Sequence, residues 1–319
     1  MNDIHSTVAV IGLGLIGGSM ALDLKRRGFA ARTLGVESDP VAAEAARTIG
    51  LVDEVVSYED CIRRADIIVV AVPVGTAVKM VPDILDRISG LCGEEGAGPI
   101  SGAFARTGSQ SDAEETGPVP SVGARKIVID VCSTKEQICK AVKYHPLRRQ
   151  FVSTHPMAGT EYSGPWAAQP GLFDGRAVIF ADAEESAPWA LKTIEELYAV
   201  LNMRPLQMNA QQHDLHTAYV SHISHVTSFA LALTVLDKEK DEKHIFDLAS
   251  GGFSSTVRLA KSNPDMWVPI LTQNRDNVLH VMDTYISKMQ QFRDAVDNFD
   301  EDRIRELILE ANKIKKILR

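Results

Sequence analysis

The chain changes its secondary-structure pattern at about Met208. Before this point, short apolar runs rich in β-branched residues alternate with patterns typical of helices. From Asn209 onward the strand pattern disappears and only helical patterns remain. Strands that alternate with helices favour a parallel sheet with right-handed crossovers. We therefore predict an α/β protein with an N-terminal parallel-sheet domain followed by an all-α C-terminal domain.

The predicted domains cover residues 1–207 and 208–319. The predicted strands are Thr7–Ile11, Thr33–Val36, Asp66–Val72, Lys126–Val131, Phe151–Thr154 and Ala177–Phe180. The predicted helices are Leu15–Arg27, Pro40–Ile49, Thr76–Ile88, Lys135–Val142, Ala187–Leu201, Gln211–Leu236, Lys243–Leu248, Ser254–Lys261, Met266–Phe299 and Glu301–Leu318. The segment Gly90–Arg125 is rich in Gly, Ser, Ala and Pro and has no periodicity, so we expect a flexible insertion there.

The composition excludes several classes of protein. With 319 residues, 45% of them hydrophobic and 24% charged, the chain is typical of a globular protein. Its net charge of −8 without a long basic run argues against a nucleic-acid partner. The longest apolar run, near Phe229–Leu236, is shorter than the roughly 18 residues of a membrane span, and Met1–Ser6 is too polar for a signal peptide. The four cysteines include no CxxC pair and are too few for a disulfide framework in a chain of this length, so we expect a cytoplasmic protein.

A glycine-rich turn joins the first strand to the first helix. Gly12, Gly14 and Gly17 form the pattern G-x-G-x-x-G, in which the glycines permit a tight turn, close approach to a diphosphate and close helix packing. Glu37 follows at the end of the second strand, where a carboxylate binds the adenine ribose and repels a 2′-phosphate. The pattern predicts NAD rather than NADP. The cofactor-binding residues of this first part are Gly12, Leu13, Gly14, Leu15, Ile16, Gly17 and Glu37.

Two further loops at the carboxyl edge of the sheet are candidates for the same site. Val72 and Pro73 end the predicted strand Asp66–Val72 and are predicted to border the cofactor, although Pro73 also suffices to stop a strand. Ser133 follows the predicted strand Lys126–Val131, where its hydroxyl is placed to reach the nicotinamide or a substrate oxygen. An alternative role for Ser133 or Thr134 is to cap the next helix, with Glu136 in its first turn.

His155 is the candidate general base. It ends a strand and precedes Pro156, and a residue before proline is held extended, so its imidazole stays at the edge of the sheet. A neutral imidazole there is suited to accept the proton of an alcohol while hydride leaves the same carbon. A histidine of a turn without any catalytic role is the alternative.

The first helix of the second region carries several polar residues that favour a site. Ser221 and His225 lie on one helix face at i,i+4. The pairs His213/His216 and His222/His225 suggest zinc, but the first pair lacks a suitable third ligand, so we predict no metal. Asp214 is suited instead to orient an imidazole.

Arg258 and Trp267 are candidates for substrate contacts. Arg258 follows a double glycine, and a planar guanidinium is suited to anchor a carboxylate, although a surface ion pair is equally consistent with its position. Trp267 is predicted to form a pocket wall or to pack in the core. The apolar stripe of the last helix, with Ile304 and Leu307 among its members, faces either its own core or a second subunit, and we favour a homodimer.

Four segments of the chain resemble the prephenate dehydrogenase family, a member of the 6-phosphogluconate-dehydrogenase-like group with a Rossmann-type domain. These segments are Gly12–Ser19, Ser153–Glu161, Val220–His225 and Gly251–Trp267. The resemblance implies an oxidative decarboxylation of prephenate to 4-hydroxyphenylpyruvate in L-tyrosine biosynthesis, with hydride transfer to NAD+. It also implies that His155 accepts a hydrogen bond from the substrate hydroxyl beside Ser133, and that Arg258 anchors a carboxylate. The implied pocket lining is His225, Ser221, Thr160 and Trp267.

The chain departs from the family in a few places. Ser224 replaces a proline that is frequent in the family, and the segment 90–125 is unusual. We expect no mutase domain before Thr7 and no regulatory module after the last helix.

The substrate preference and the enzyme class leave alternatives open. Prephenate carries a keto group where arogenate carries an amino group, and His225 as a donor or cation favours the keto acid. The alternatives are an arogenate dehydrogenase and a non-catalytic NAD-binding regulator. A β-hydroxyacid dehydrogenase is disfavoured because no lysine lies between Met208 and Leu236.

Overall fold

The computed structural model describes residues 6–94, 125–240 and 244–317. One sheet in these ranges has eight strands in the order β3-β2-β1-β4-β5-β6-β7-β8. The strands are β1 (Ser6–Ile11), β2 (Ala30–Val36), β3 (Glu54–Val55), β4 (Ile67–Val70), β5 (Ile127–Asp130), β6 (Phe151–Pro156), β7 (Ala177–Ala181) and β8 (Arg204–Met208). All neighbours are parallel except β6 and β7. The predicted parallel-sheet domain is confirmed.

Twelve α-helices lie in the described ranges. They are α1 (Leu15–Arg26), α2 (Pro40–Ile49), α3 (Tyr58–Arg64), α4 (Val74–Glu94), α5 (Glu136–Val142), α6 (Pro188–Val200), α7 (Ala210–Thr217), α8 (Ile223–Glu239), α9 (Gly251–Val257), α10 (Pro264–Gln273), α11 (Arg275–Asp297) and α12 (Glu301–Ala311). After β8 the described chain contains only helices and turns, as predicted.

The interior strands are buried on both faces. Every residue of β4 and β5 is buried, which agrees with the unbroken apolar runs of a sheet covered by helices on both sides. The strand order reverses beside β1, between β2 and β4. In open α/β sheets the crevice at the carboxyl ends of such strands binds ligands.

The sequence did not predict three elements of the sheet domain. β3 has only two residues, and α3 is a short helix between loops. β8 is an edge strand with Pro205 and four exposed residues, so it lacks the alternation of apolar and polar residues on which strand prediction depends.

Several predicted helix boundaries are wrong. The predicted helix 266–299 ends at Gln273, and a new helix begins at Arg275. Asn274 lies between them, and its side chain accepts from the amide of Asn277 at 2.8 Å and lies 3.1 Å from Nδ1 of His222. Such side-chain bonds compete with the helical hydrogen bonds.

Other helical segments differ in their details. A π-helical turn, Ala218–His222, interrupts the predicted helix 211–236. The segment predicted as 243–248 forms a single 3-10 turn, Phe246–Leu248, and α9 begins at Gly251, before the predicted start at 254, with a 3-10 turn, Arg258–Lys261, after it. The last helix ends at Ala311 and continues as a 3-10 turn to Lys316. Residues 241–243 and 318 lie outside the described residues.

The predicted insertion 90–125 begins too early, because residues 90–94 complete α4. Residues 95–124 lie outside the described residues.

The chain forms two compact units. The first contains the residues up to Asp214 together with Lys261–Gln273, and the second contains Leu215–Ala260 and the residues from Asn274 onward. Helix α10 thus belongs to the sheet unit, where Thr134 Oγ1 lies 3.2 Å from Oε1 of Gln273. In that unit a Cβ atom on Gly75 of α4 would lie 3.6 Å from Pro269.

Candidate active site

The glycine turn after β1 is sterically closed on two sides. Gly12 has φ +93°, and a Cβ atom there would lie 2.5 Å from the carbonyl oxygen of Ala71. A Cβ atom on Gly17 would lie 2.0 Å from the carbonyl oxygen of Gly12. Both positions therefore require glycine, because the turn packs against the end of β4 and helix α1 packs against the turn.

Gly14, the middle glycine of the turn, faces open space. No heavy atom lies within 4 Å of a Cβ built on Gly14. Gly14 is the N-cap residue of α1, and no side-chain hydrogen bond caps the helix there. A helix N-terminus that is open in this way attracts an anionic group, which fits the diphosphate of a dinucleotide.

Glu37 lies beside the glycine turn, as predicted. Its carboxylate accepts hydrogen bonds from the backbone N–H of Leu13 at 3.0 Å and of Ser38 at 2.8 Å. Asp39 N–H is a third donor at 3.2 Å. The carboxylate is thus fixed at the end of β2, where the fold places the adenine ribose. The residues present fit NAD.

The next two predicted loops follow β4 and β5, which come next after β1 in the order of the sheet. Val72 is half-buried and Pro73 exposed, directly before α4. Ser133 is half-buried between β5 and α5. The alternative role of Ser133 or Thr134 as a helix cap is wrong, because Lys135 is the N-cap residue of α5 and makes no side-chain cap.

Asp214 of α7 provides this cap instead. Its Oδ1 accepts from the N–H of Lys135 at 2.8 Å, and its Oδ2 accepts from the N–H of Glu136 at 2.9 Å. Asp214 has 1% of its surface exposed. A buried carboxylate that accepts backbone N–H groups on both oxygens is fixed in position.

His155 is the next-to-last residue of β6 and is half-buried. Its neighbours in the ladder place it at the carboxyl end of β6, one strand from the end of β5 that carries Ser133. Thr160 follows in an exposed loop, where its Oγ1 accepts from the N–H of Tyr162 at 3.3 Å. The described residues of the sheet unit therefore bring His155 and Ser133 to one edge of the sheet.

His213 joins His155 to Asp214. The Nδ1 atom of His155 lies 2.8 Å from Nε2 of His213, and Nδ1 of His213 lies 2.8 Å from Oδ1 of Asp214. His213 was not among the predicted site residues. Its position beside Asp214 on the same helix was the available clue, because a carboxylate next to a histidine commonly orients an imidazole.

The helical unit holds three of the predicted substrate-binding residues. Nδ1 of His225 lies 3.1 Å from the carbonyl oxygen of Ser221, so this nitrogen carries the proton and donates it. Burial of the ring, opposed by the Ser221 bond and assisted by the charge of Arg258, lowers the pKa of His225 below its usual 6.5. His225 is therefore neutral at pH 7. The predicted repulsion of an ammonium group therefore applies only where His225 is protonated, and the lowered pKa moves that condition to lower pH.

The remaining predicted residues differ in exposure. Arg258 is exposed at the end of α9. Trp267 of α10 is buried in the sheet unit, with 6% of its surface exposed. Within the described residues, no group of three or more His, Cys, Asp or Glu side chains is arranged to hold a metal ion.

The family models match both halves of the chain. The model described as "Prephenate dehydrogenase, nucleotide-binding domain" matches residues 20–91 and 114–205. The model described as "Prephenate dehydrogenase, dimerization domain" matches residues 209–310.

Individual relatives and solved structures are similar over almost the whole chain. The prephenate dehydrogenase of Bacillus subtilis (strain 168) is 28% identical over 95% of this chain and 74% of the relative. The cyclohexadienyl dehydrogenase of Zymomonas mobilis is 27% identical over 98% of this chain and 96% of the relative. The crystal structure of prephenate dehydrogenase from Aquifex aeolicus is 25% identical, with a TM-score of 0.77 over 97% of this chain and 98% of that chain. A second structure from A. aeolicus, in complex with hydroxyphenyl propionate and NAD+, is 24% identical, with a TM-score of 0.78 over 98% of this chain and 97% of that one.

Together, the open glycine turn with Glu37, the histidine at the carboxyl edge of the sheet and the matches to both domain models agree with the predicted family. The chain belongs to the prephenate dehydrogenase family.

Proposed function

We propose that this chain oxidises and decarboxylates prephenate to 4-hydroxyphenylpyruvate with NAD+ in L-tyrosine biosynthesis, and that His155 is its proton acceptor. The observation that supports this role of His155 is its position at the carboxyl edge of the sheet, with its Nδ1 hydrogen-bonded to the buried His213. The predictions of an NAD-dependent oxidoreductase of this family and of NAD as cofactor are confirmed by the matched nucleotide-binding domain and by the relatives.

When bound, NAD+ would supply the acceptor for the hydride of the ring carbon that carries the hydroxyl group. The open N-terminus of α1 at Gly14 would hold the diphosphate, and Glu37 would accept hydrogen bonds from the ribose hydroxyls. Leu13, Leu15 and Ile16 would contribute backbone around the same turn, and Val72, Pro73 and Ser133 would border the nicotinamide end. These cofactor contacts are part of the proposal.

His155 accepts the proton of the 4-hydroxyl group as the C–O bond gains double-bond character. The ring carboxylate then leaves as CO2, and its bonding electrons complete the aromatic ring. The proton returns to the oxygen, which becomes the phenol of the product. No net proton is released, so the acceptor needs only to be neutral before the reaction and close to the hydroxyl.

The substrate is a dianion and needs a cation to bind one of its carboxylates. We assign this role to Arg258, because guanidinium binds carboxylates in a bidentate manner and Arg258 is exposed. Ser221, His225, Thr160 and Trp267 are the proposed lining of the substrate pocket.

Arogenate is the second candidate substrate. The neutral state of His225 removes the expected repulsion of the amino group, and a cyclohexadienyl dehydrogenase is among the relatives. The deciding experiment follows NADH absorbance with NAD+ and either prephenate or arogenate. Turnover with prephenate supports the proposal. A preference for arogenate would mean that the same residues oxidise and decarboxylate arogenate instead. NAD+ binding without turnover of either compound would favour the non-catalytic regulator.

We also propose that the chain is a cytoplasmic homodimer, with a nucleotide-binding domain over 1–207 and a helical domain over 208–319. The matched dimerization domain supports a dimer. Exposed apolar side chains on α8 and α11, such as Leu233 and Ile286, favour an interface with a second chain there. Light scattering of the purified protein tests the proposed mass of two chains.

The helical stretch Ala210–Glu239 is long and apolar enough to cross a membrane by length and composition alone, which is weak evidence for a span.

A further inference from the structure

Three buried or half-buried side chains form a continuous hydrogen-bonded series behind the candidate base. Asp214 Oδ1 lies 2.8 Å from Nδ1 of His213, and Nε2 of His213 lies 2.8 Å from Nδ1 of His155. His213 and Asp214 each have 1% of their surface exposed. Hydrogen bonds in such surroundings are stronger than in water, because little solvent competes for the donors and acceptors.

The direction of each bond follows from the cap of α5. Both oxygens of Asp214 accept backbone N–H groups, from Lys135 and Glu136, so this side chain acts as an acceptor. Nδ1 of His213 must therefore donate to Asp214. A neutral imidazole with its proton on Nδ1 carries a lone pair on Nε2, and that lone pair accepts from Nδ1 of His155. His155 in turn carries its own lone pair on Nε2.

We propose that His213 and Asp214 are positioning residues that hold His155 in the tautomer whose Nε2 accepts the proton of the substrate hydroxyl. This inference rests on the proposed function for the identity of the substrate, but the tautomer itself does not depend on it. Asp214 also fixes the start of α5, directly after Ser133, so one carboxylate aligns the loops that carry both proposed catalytic residues.

The competing explanation is that Asp214 serves only as a helix cap and that His213 merely packs against it. Replacement of His213 separates the two explanations, because the backbone bonds from Lys135 and Glu136 to Asp214 do not involve His213. A glutamine at position 213 can accept through its oxygen and donate through its amide nitrogen. A leucine at this position can do neither.

The first test reads the tautomers directly by long-range ¹H–¹⁵N NMR of the imidazole rings in the ligand-free protein. We expect the proton on Nδ1 in both His155 and His213, with His155 assigned from the peaks missing in His155→Asn. His145 is the internal reference for the opposite tautomer, because its Nδ1 accepts from the N–H of Leu147 at 3.0 Å. A proton on Nε2 of neutral His155 would overturn the proposal.

The second test compares the kinetics of His213→Gln and His213→Leu. We expect the leucine variant to lose about 10- to 100-fold in kcat, as is typical when the partner of a functional histidine is removed, with a KM for prephenate within about threefold of the wild type. The glutamine variant should retain kcat within about fivefold of the wild type, because it restores both hydrogen bonds. His216→Leu, at an exposed position of the same helix, is the matched control and should behave as the wild type.

Two results of the kinetic test contradict the proposal. These are an unchanged kcat in His213→Leu, and equal losses in the leucine and glutamine variants. If the wild-type protein turns over neither prephenate nor arogenate, the proposed function fails, whereas the NMR experiment still decides whether the tautomer is fixed.

Discussion

Lys135 and Asp130 form an ion pair in which both side chains are fully buried beneath the carboxyl edge of the sheet. The ammonium group of Lys135 also donates to the carbonyl oxygen of Thr154 at 2.6 Å, one residue before His155. The Asp130 carboxylate accepts from Ser153 Oγ at 3.1 Å. This pair therefore joins the ends of β5 and β6, the two strands that carry the proposed catalytic residues.

Removal of the Lys135 charge should destabilise the protein strongly. We expect Lys135→Met to lower the free energy of unfolding by about 3–5 kcal/mol, because Asp130 is left buried without its cation. The double variant Lys135→Met/Asp130→Asn should recover part of this loss. Urea unfolding measures both, with Lys240→Met as the control, because the exposed pair of Lys240 with Asp237 contributes at most about 1 kcal/mol. A loss for Lys135→Met as small as the control's would contradict the expectation.

Two of the three glycines of the nucleotide turn, Gly14 and Gly17, should respond differently to alanine. Gly17→Ala places a Cβ 2.0 Å from the Gly12 carbonyl oxygen, so we expect a loss of about 1–3 kcal/mol in unfolding free energy. Gly14→Ala meets no heavy atom within 4 Å, and its unfolding free energy should stay within about 1 kcal/mol of the wild type. Its affinity for NAD+, measured by calorimetry, should still fall by about tenfold or more, because the methyl group occupies the space for the diphosphate. Unchanged affinity in Gly14→Ala would place the diphosphate elsewhere.

Glu37 should determine the preference for NAD+ over NADP+. The glutamine variant loses the charge that repels a 2′-phosphate, and its single oxygen can accept either from the N–H of Leu13 or from those of Ser38 and Asp39. We expect the ratio of kcat/KM for NADP+ to that for NAD+ to rise by about tenfold, equivalent to about 1.4 kcal/mol. Glu44→Gln, on the exposed face of α2, is the control and should leave the ratio unchanged. An unchanged ratio in Glu37→Gln would exclude Glu37 as the determinant.

His225 should contribute to the loss of stability in mild acid. Burial lowers its pKa in the folded state below the usual 6.5, so the unfolded state binds the proton more tightly. Stability from this residue is therefore complete above pH 6.5 and is lost as the pH falls towards the folded-state pKa. The wild type should lose more unfolding free energy between pH 7.5 and pH 5.5 than His225→Gln, as measured by urea titrations at each pH. Equal losses in the two proteins would mean that His225 does not titrate differently on folding.

Replacement of His155 should separate binding from chemistry. We expect His155→Asn to bind NAD+ with wild-type affinity and to lose about two orders of magnitude or more in kcat, as is typical for loss of a general base. Fluorescence titration of NAD+ and the rate of NADH formation measure the two effects. His145→Asn, which replaces a histidine bonded to Asp86 of α4, is the control and should retain activity. Near-normal turnover in His155→Asn would remove this residue from the mechanism.

The sequence predicted the elements that are specified by residues close to one another in the chain. The buried strands β1, β4 and β5 follow from continuous apolar runs, and the glycine turn with Glu37 follows from fixed spacings along one βαβ unit. His155 was found because it lies between a strand and Pro156, so its position at the sheet edge depends only on its neighbours in the chain.

The tertiary structure decided the contacts between distant segments. His155 and His213 are 58 positions apart, and Asp214 caps a helix whose first residues lie 78 and 79 positions away. No periodicity of the sequence encodes such pairs, because a hydrogen bond between side chains depends on where the packing of the sheet and of α7 places them. The neutral state of His225 likewise depends on burial and on the charge of Arg258. The sequence by itself thus determined the buried strands of the sheet and the type of cofactor, whereas only packing determined which side chains meet His155 and His213.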